Sequence, residues 1–441
     1  MKALIVPACT DLNRGDQALV WESARLLKDA GVDDVAVVDY GDNETDRHMQ
    51  SRQTVSYGIP VKRNIVEHPR RFLSSLQSKD AHDGYLVLII MALVAVVDFA
   101  RLLLLLVVPS KFTFRILWPH YGDSDAFSSF IASDVVAVKG GGFLHTYGSV
   151  KDLYYIFFTM YYVLLGLRLR KKIVIFPNSI GPLTGRLNKL VVKFLLKRCG
   201  LVYVREKVSL SVLQELRVDH AKYIPDLAYF MEEEEPSEKV CGATSGISDR
   251  AVGITVRPYR FPEVSDYDLA YRNYVSSVAK FGDFLISRGY QVFFVVQVQG
   301  PSAHETDRIA INDVMHLMAS NEAIVIDGDY NCFDLMGIYS RLKFVVGTRF
   351  HSVIFSQNVT TPAIAIGYGG NKSTGIMGDL DLSEYVLRIE DINYADLKKT
   401  FLDLEASSDS YCSKLRDGKI RFNEYRSELI SELTAFIGAA R

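Results

Sequence analysis

The chain has 441 residues, of which 49% are hydrophobic and 23% charged, so size and composition exclude a disulfide-stapled mini-protein and a globally disordered chain. Fifty basic and 52 acidic residues give a net charge of −2, which excludes a whole-chain field that attracts nucleic acid. The five cysteines are far apart and form no Cys-x-x-Cys pair, which favours a reducing, cytoplasmic compartment and no structural zinc.

Short apolar, β-branched runs alternate with amphipathic segments along the first half of the chain. This alternation is typical of strand–helix–strand units that build parallel sheets. The predicted strands lie at residues 4–6, 35–38, 135–138, 173–176, 201–204 and 222–224. The first run follows Met1-Lys2 and is too short for a signal-peptide core, so it predicts a buried strand.

A charged segment containing Ser and Gly, at 231–249, interrupts the alternation and predicts a linker. The alternation then resumes, with a helix at 271–288 and strands at 252–255, 292–296, 323–326, 344–346 and 363–366. Beyond about residue 394 the pattern is helical. We therefore predict an α/β fold of two Rossmann-like domains facing a cleft, at 1–235 and 250–393, followed by C-terminal helices at 394–441.

Residues 85–108 form an apolar run whose only charged residues are Asp98 and Arg101, which we expect to pair on one helical face. The run is long enough to cross a bilayer. A single crossing, however, would put the predicted strands before and after it in different compartments, although they belong to one sheet. Three interpretations remain open: domain core, a surface that enters the membrane interface, or a partner interface.

Two segments near strand ends of the first half are candidate ligand loops, because open α/β folds bind ligands at the carboxyl edge of the sheet. Asn13 and Asp16 follow the first strand and are either helix caps or hydrogen-bonding groups for an acceptor. Gly141 and Gly142 belong to a triple glycine that permits either close ligand approach or a tight turn. This triplet does not complete a Gly-x-Gly-x-x-Gly fingerprint, which disfavours a dinucleotide oxidoreductase.

Polar residues also end two later strands of the first half. Asn178 and Ser179 follow the strand at 173–176, and Arg205 follows the strand at 201–204. These side chains are candidates for the same site, and a surface salt bridge is the alternative for Arg205.

The most specific cluster lies at 347–352, directly after a predicted strand and before an apolar helix. Arg349, His351 and Ser352 therefore lie at a helix N-terminus, where free N–H groups and the helix dipole favour an anion. Arginine binds carboxylate or phosphate through two hydrogen bonds, and histidine is suited to acid–base chemistry near neutral pH. A structural histidine is the alternative.

Two further cations are expected at the same edge. Arg257 ends the strand that begins at residue 252, and Lys372 follows the strand at 363–366. Both strand ends should open on one cleft. The chain has no His-Glu-x-x-His motif and no Walker lysine pattern, and its four Asp-x-Asp pairs are close to the roughly two or three expected by chance, so we predict no metal.

In order and spacing, these motifs resemble the polysaccharide pyruvyltransferase family over residues 1 to about 380. The resemblance rests on Asn13-x-Gly15-Asp16, the glycines at 140–142, the segment at 177–182, Arg205-Glu206 with Ser209, Pro225-Asp226, Arg349-x-His351 and the loop at 368–372. The apolar run at 85–108 is not part of the family pattern.

The resemblance implies a fold like that of the B-type glycosyltransferases, with an acceptor-binding first domain and a donor-binding second domain. It implies phosphoenolpyruvate as co-substrate, without another cofactor, and a sugar of a surface polysaccharide or its lipid-linked precursor as acceptor. The product would be a pyruvate ketal, with phosphate released. Arg349 and His351 are the implied catalytic residues. The expected donor-binding residues are Arg257, Arg349, Lys372, Arg205 and Ser352, and the expected acceptor-binding residues are Asn13, Asp16, Gly141, Gly142, Asn178 and Ser179.

Two other functions remain open from the sequence. One is a nucleotide-sugar-dependent glycosyltransferase of the same fold, and the other is a non-catalytic, membrane-associated assembly protein. We expect the protein in the cytoplasm, peripheral on the inner face of the cytoplasmic membrane through 85–108, and without a nucleic-acid partner.

Overall fold

The computed structural model describes residues 1–72, 85–121, 125–147, 149–262, 264–300 and 305–439. Contacts between residues divide the chain into two units. Unit 1 consists of Met1–Asp11, Leu19–Ile224 and Ser427–Arg441, and unit 2 consists of Leu12–Ala18 and Pro225–Arg426.

Unit 1 is built on a parallel sheet that has eight strands within the described residues. They are β1 (Lys2–Val6), β2 (Asp34–Val38), β3 (Val61–Lys62), β4 (Val135–Val138), β5 (Gly141–Tyr147), β6 (Lys172–Thr184), β7 (Leu201–Val204) and β8 (Lys222–Tyr223). Their order is β3-β2-β1-β4-β6-β7-β8, and β5 pairs with the extended end of β6. The strands predicted for the first half are thus confirmed. The triple glycine leads into β5, and Gly141 makes the turn with a φ of 154°.

The helices of the first half are α1 (Arg14–Asp29), α2 (Glu44–Met49), α3 (Arg52–Ser56), α4 (Tyr85–Val107), α5 (Lys111–Leu117), α6 (Asp125–Ala132), α7 (Val150–Thr159), α8 (Tyr161–Arg168), α9 (Arg186–Leu196) and α10 (Lys207–Glu215). Helices α4 to α10 form one layer on one face of the sheet. Their buried side chains share a single hydrophobic cluster with alternate strand residues such as Leu4, Val136 and Ile173. Alternation along a strand selects one face, so the cluster is the core on that side.

Unit 2 is built on a second parallel sheet, with six strands in the order β11-β10-β9-β12-β13-β14 among the residues described. The strands are β9 (Ala251–Thr255), β10 (Gln291–Val295), β11 (Ile324–Ile326), β12 (Phe344–Gly347), β13 (Ala363–Gly367) and β14 (Val386–Arg388). The helices of the second half are α11 (Glu238–Thr244), α12 (Tyr267–Ser287), α13 (Asp307–Leu317), α14 (Cys332–Tyr339), α15 (Phe350–Asn358), α16 (Lys372–Asp379), α17 (Tyr394–Ala406) and α18 (Ser408–Gly438). The predicted α/β fold with two parallel sheets is confirmed. The predicted linker holds a short helix, α11, because the Ser237 side chain caps its first turn.

Three segments join a different unit from the one that their place in the sequence indicates, and the first of them is 225–235, which belongs to unit 2. Leu12–Ala18 belongs to unit 2, where Arg14 Nη2 donates to Gln299 Oε1 at 2.9 Å. The C-terminal segment from Ser427 belongs to unit 1, where Lys172 Nζ donates to the carbonyl of Ile437 at 2.6 Å. These long-range contacts, rather than composition, set the boundaries.

Helix α4 is, within the described residues, the one helix long and apolar enough to cross a membrane. Only 11% of its most apolar window is buried, so the core interpretation of 85–108 is wrong for most of this helix. The strands before and after α4 in the chain, β1 and β4, pair with each other, with Ala3 opposite Val135. A single crossing by α4 would separate paired strands and is therefore excluded.

Candidate functional site

Three predicted cations of unit 2 follow the ends of three neighbouring strands. In the sheet, β9 pairs with β12, and β12 pairs with β13. Arg257 follows β9, Arg349 follows β12, and Lys372 follows β13 as the first residue of α16. Because the carboxyl ends of parallel strands share one edge of a sheet, residues far apart in the sequence reach one place.

Tyr368, directly after β13, lies among these cations. The Arg257 guanidinium lies over the Tyr368 ring, with its carbon 4.2 Å from the ring centroid. Burial alone would raise the pKa of the Tyr368 phenol, but the positive charges of Arg257, Lys372 and Arg349 lower it to about 8. The environment that stabilises a phenolate here is equally suited to a small external anion.

Arg257 has hydrogen-bonding capacity left over for a ligand. Its guanidinium also approaches Tyr259, at 5.5 Å from the ring centroid, and its backbone N–H donates to the Tyr274 hydroxyl at 3.2 Å. Its Nε is buried and has no hydrogen-bond partner among the described residues. Buried donors are nearly always satisfied in folded proteins, so an unsatisfied guanidinium N–H at a strand end points to an absent acceptor.

Arg349 is held more firmly than Arg257. Its Nε donates to Asp307 Oδ1 at 2.7 Å, and its Nη2 donates to the carbonyl of Glu305 at 2.5 Å. Burial opposes the charge of Arg349, but the attraction of Asp307 outweighs this cost and raises the pKa of Arg349. Arg349 is therefore a fixed cation, and among the described residues these contacts use its Nε and Nη2.

His351 lies in the first turn of α15 and is largely buried. Its Nε2 is 3.8 Å from Oδ2 of Asp226, a buried carboxylate whose other oxygen accepts the N–H of Ala228 at 3.0 Å. On its other side the ring meets the backbone of Gly15, where an added Cβ would lie 2.1 Å from His351 Nδ1. Two motifs at opposite ends of the family pattern thus meet inside unit 2.

The close approach of Gly15 to His351 predicts a clear effect of one methyl group. We expect Gly15→Ala to displace the imidazole and lower the free energy of unfolding by about 1–3 kcal/mol, as overpacking does. Urea unfolding measures this change. The matched control is Gly242→Ala, where an added Cβ meets nothing within 4 Å. Equal stability of both variants and the wild type would contradict the contact.

The polar residues of the first loop bond to one another. Asn13 Nδ2 donates to Asp16 Oδ2 at 2.7 Å, and Asn13 Oδ1 accepts the N–H groups of Gly15 and Asp16. This is the arrangement of a helix cap at the start of α1. Ser352 is also enclosed, since its hydroxyl donates to the carbonyl of Arg349 at 2.6 Å and bonds with the Thr255 hydroxyl. In this structure Ser352 holds the Arg349 loop in place.

The predicted residues of the first half other than Asn13 and Asp16 lie in unit 1, and three of them form a cluster there. Arg205 is buried and its Nε donates to Ser179 Oγ at 2.7 Å, while Ser179 donates to Glu206 Oε2 at 3.0 Å. Gly142 adjoins them, because its added Cβ would lie 2.9 Å from Arg205 Nη2. The structure therefore groups Arg205 with Gly142 and Ser179, and groups Arg257, Arg349 and Lys372 in unit 2.

Asn178 is a polar residue in the centre of the unit 1 sheet. Its Nδ2 donates to the carbonyls of Lys139 and Phe176, and Gly141 is its register partner across β5 and β6. Its Oδ1 is buried and has no hydrogen-bond partner in the described part of the chain. The amide orientation is therefore fixed by two carbonyls, and one acceptor remains unsatisfied.

The sequence patterns assign no role to Asp307, Asp226 or Tyr368. Asp307 belongs to a helix start without any motif, and only its contact with Arg349 reveals it. Asp226 and Tyr368 lie inside segments that carry the family resemblance, and this position is the signal that could have identified them as site residues. In the described ranges, no group of three or more His, Cys, Asp or Glu residues is placed to hold a metal ion.

Solved structures of other proteins share the fold of this chain. UDP-GlcNAc 2-epimerase from Neisseria meningitidis, solved with UDP-GlcNAc, is similar with a TM-score of 0.54 and 11% identity, over 98% of this chain and 99% of that chain. HepE from Anabaena, solved with UDP and glucose, is similar with a TM-score of 0.53 and 11% identity, over 100% of both chains. At such identities the likeness shows the fold alone, which is GT-B-like.

The sequence then defines the family. A profile described as polysaccharide pyruvyl transferase matches residues 13–370, and the chain belongs to this family. Amylovoran biosynthesis protein AmsJ from Erwinia amylovora is 26% identical over 270 residues, which are 58% of this chain and 62% of that protein. The match thus spans less than two thirds of that relative's length.

Proposed function

We propose that the protein transfers the enolpyruvyl group of phosphoenolpyruvate to a sugar of a surface polysaccharide or its lipid-linked precursor. The product is a pyruvate ketal, and phosphate is released. Family membership supports pyruvyl transfer, and the name of AmsJ supports a role in polysaccharide biosynthesis. The observation that carries the proposal is the position of Arg257, Arg349 and Lys372 after the ends of neighbouring strands, with Arg257 over the Tyr368 ring.

This cluster matches the charges of the donor. Phosphoenolpyruvate carries a phosphate and a carboxylate on three carbons, so its pocket needs several cations close together. Arg257 offers an N–H that has no partner among the described residues. Arg349 is a fixed cation whose contacts with Asp307 and Glu305 use Nε and Nη2. Lys372 adds a third charge at the start of α16, and its Nζ lies 5.3 Å from the Phe350 ring centroid.

The reaction needs one proton on carbon and the loss of two sugar protons. A proton adds to the methylene carbon of the donor, the resulting cationic C2 accepts one sugar hydroxyl, and the C2–O bond to phosphate breaks. A second hydroxyl then closes the ketal, so that both hydroxyl protons end on the new methyl group and on phosphate. His351 is suited to moving these protons, with Asp226 near enough to stabilise the imidazolium, while Arg257 and Arg349 stabilise the departing phosphate.

Incubation of the protein with phosphoenolpyruvate and a panel of glycans tests the proposal directly. We expect phosphate release and an acceptor mass gain equal to pyruvate minus water. Thermal shift distinguishes the rivals: stabilisation by a nucleoside diphosphate, but not by phosphoenolpyruvate, would favour a nucleotide-sugar glycosyltransferase. If neither ligand stabilises the protein and no glycan is modified, the non-catalytic assembly role is favoured.

The shifted phenol gives donor binding a pH dependence. Below a pH of about 8 Tyr368 is neutral, and above it the phenolate neutralises part of the positive charge that the donor needs. We therefore expect the Kd of phosphoenolpyruvate to rise with pH above about 8, by up to roughly tenfold per pH unit. Isothermal calorimetry between pH 6.5 and 9.5 measures the profile.

The substitution Tyr368→Phe isolates this effect. It removes the ionisable hydroxyl and keeps the ring under Arg257, so the alkaline loss of affinity should disappear. Tyr267→Phe, on an exposed tyrosine of unit 2, is the control and should keep the wild-type profile. An alkaline loss that persists in Tyr368→Phe would assign it to another group.

A further inference from the structure

Helix α4 exposes an apolar surface that is unusual for a soluble domain. Its buried residues, Ala95, Asp98, Leu102 and Leu105, form one stripe. Most of the remaining residues are aliphatic, and exposed ones occur along the whole helix, at Leu86, Leu88, Leu93, Val96, Leu104 and Val107 among others. Apolar patches of this extent mark an interaction surface.

The orientation of α4 on unit 1 is fixed. Asp98 accepts two hydrogen bonds from the Arg71 guanidinium, both at 2.7 Å. Its Oδ1 lies 3.9 Å from Nη1 of Arg101, the partner that the sequence predicts for it. The Tyr161 hydroxyl donates to the carbonyl of Leu102 at 2.9 Å. Because these buried polar contacts lie on the inner stripe, the apolar stripe opposite them always faces outward.

A second helix of unit 1, α9, exposes apolar residues beside positive charges. Leu187, Leu190 and Phe194 are all more than half exposed, although the opposite face of α9 is buried in the core. The exposed cations that flank this row are Arg186, Lys189, Lys197 and Arg198. Exposed Leu and Phe among Lys and Arg are typical of a helix that lies on an anionic membrane surface.

Helix α7 connects α4 and α9 within the same layer. Phe157 of α7 contacts Phe99 of α4, with ring centroids 4.7 Å apart. Asp152 of α7 accepts a hydrogen bond from Asn188 of α9 at 3.2 Å. The layer therefore combines an aliphatic helix with a cationic one on a single side of the unit 1 sheet.

We propose that this layer docks unit 1 onto a membrane that contains anionic lipid, with α4 lying in the plane of the interface. The combination matches a bilayer, because α4 offers aliphatic side chains to the acyl region and α9 offers cations to headgroups. A protein interface instead favours several aromatic residues within a polar rim, whereas the exposed apolar side chains of α4 are aliphatic apart from Tyr85 and Phe99. The pairing of β1 with β4 requires that α4 enters the interface without crossing.

Vesicle flotation of the full chain tests the proposal. The vesicles contain phosphatidylcholine alone, or phosphatidylcholine mixed with phosphatidylglycerol. We expect the wild type to float with both, and more strongly with the anionic vesicles at low salt than at high salt. Wild-type protein that stays with the soluble fraction in both cases overturns the proposal.

Two variants separate the two contributions. Leu93→Ser, Val96→Ser and Leu104→Ser combined should reduce binding to both vesicles by at least roughly tenfold. Lys189→Glu with Lys197→Glu should remove the preference for phosphatidylglycerol and leave binding to phosphatidylcholine unchanged. The altered side chains are exposed, and circular dichroism with urea unfolding confirms that each variant is folded.

The matched control changes three exposed apolar residues of unit 2, Leu269→Ser, Leu317→Ser and Ile420→Ser, and should bind vesicles like the wild type. Equal loss of binding in this control would overturn a specific role for α4. Light scattering tests whether a second copy of the chain covers this surface instead. If the wild type is a dimer, the α4 variant is a monomer and neither binds vesicles, the surface is assigned to a second copy of the chain. These outcomes do not depend on pyruvyl transfer, which is assayed separately with a soluble acceptor.

Discussion

Replacement of His351 by asparagine is expected to lower kcat for pyruvyl transfer by roughly a thousandfold, because general acid–base catalysis commonly contributes that much. Asparagine keeps a polar side chain of similar reach but cannot transfer a proton near neutral pH. The affinity for phosphoenolpyruvate should change little, since Arg257, Arg349 and Lys372 carry the charge around Tyr368. Phosphate release measures kcat, and calorimetry measures the donor Kd.

The control for this experiment is His316→Asn, on an exposed position of α13 in the same unit. It should leave kcat and Kd at wild-type values. If His351→Asn raises the donor Kd and keeps kcat, then His351 binds the anion and the proton is moved by another group. If neither quantity changes, His351 has only a structural part beside Gly15.

The sequence predicts where the cations Arg257, Arg349 and Lys372 lie, because it predicts the strands of unit 2 and the residues at and after their ends. The apolar runs predict Arg257 at the end of one strand and Arg349 and Lys372 in the loops after two others, and in the structure the three follow the neighbouring strands β9, β12 and β13. The contact between Asp307 and Arg349 was not predictable in this way. It depends on how α13 packs against the end of β12, and no local pattern encodes that packing.

The exposure of α4 shows a second limit of the sequence. A helix that is apolar on every side has no periodic signal to distinguish an outer from an inner face. Only the contacts of Asp98 with Arg71 and of Tyr161 with Leu102 reveal which stripe is buried. The unit boundaries have a similar cause, because Arg14 joins unit 2 through Gln299, far away in the sequence.

Arg349→Met is expected to lower the free energy of unfolding of unit 2 by about 3–5 kcal/mol, because removing one partner leaves a buried charge uncompensated. The charge is that of Asp307, which is fully buried and accepts hydrogen bonds from the backbone of Gln297 and Val298 besides Arg349. Urea unfolding measures the loss. The exposed pair of Arg288 with Glu405 is the matched control, and Arg288→Met should cost less than about 1 kcal/mol.

A second substitution distinguishes this structural loss from donor binding. Asp307→Asn removes the buried charge and keeps an oxygen that can accept the two backbone N–H groups. The double variant Asp307→Asn with Arg349→Met should therefore regain much of the stability that Arg349→Met loses. Phosphoenolpyruvate affinity should remain low in both variants, since neither has the Arg349 cation. Recovery of affinity together with stability would instead show that Arg349 only supports the fold and that Arg257 and Lys372 suffice to bind the donor.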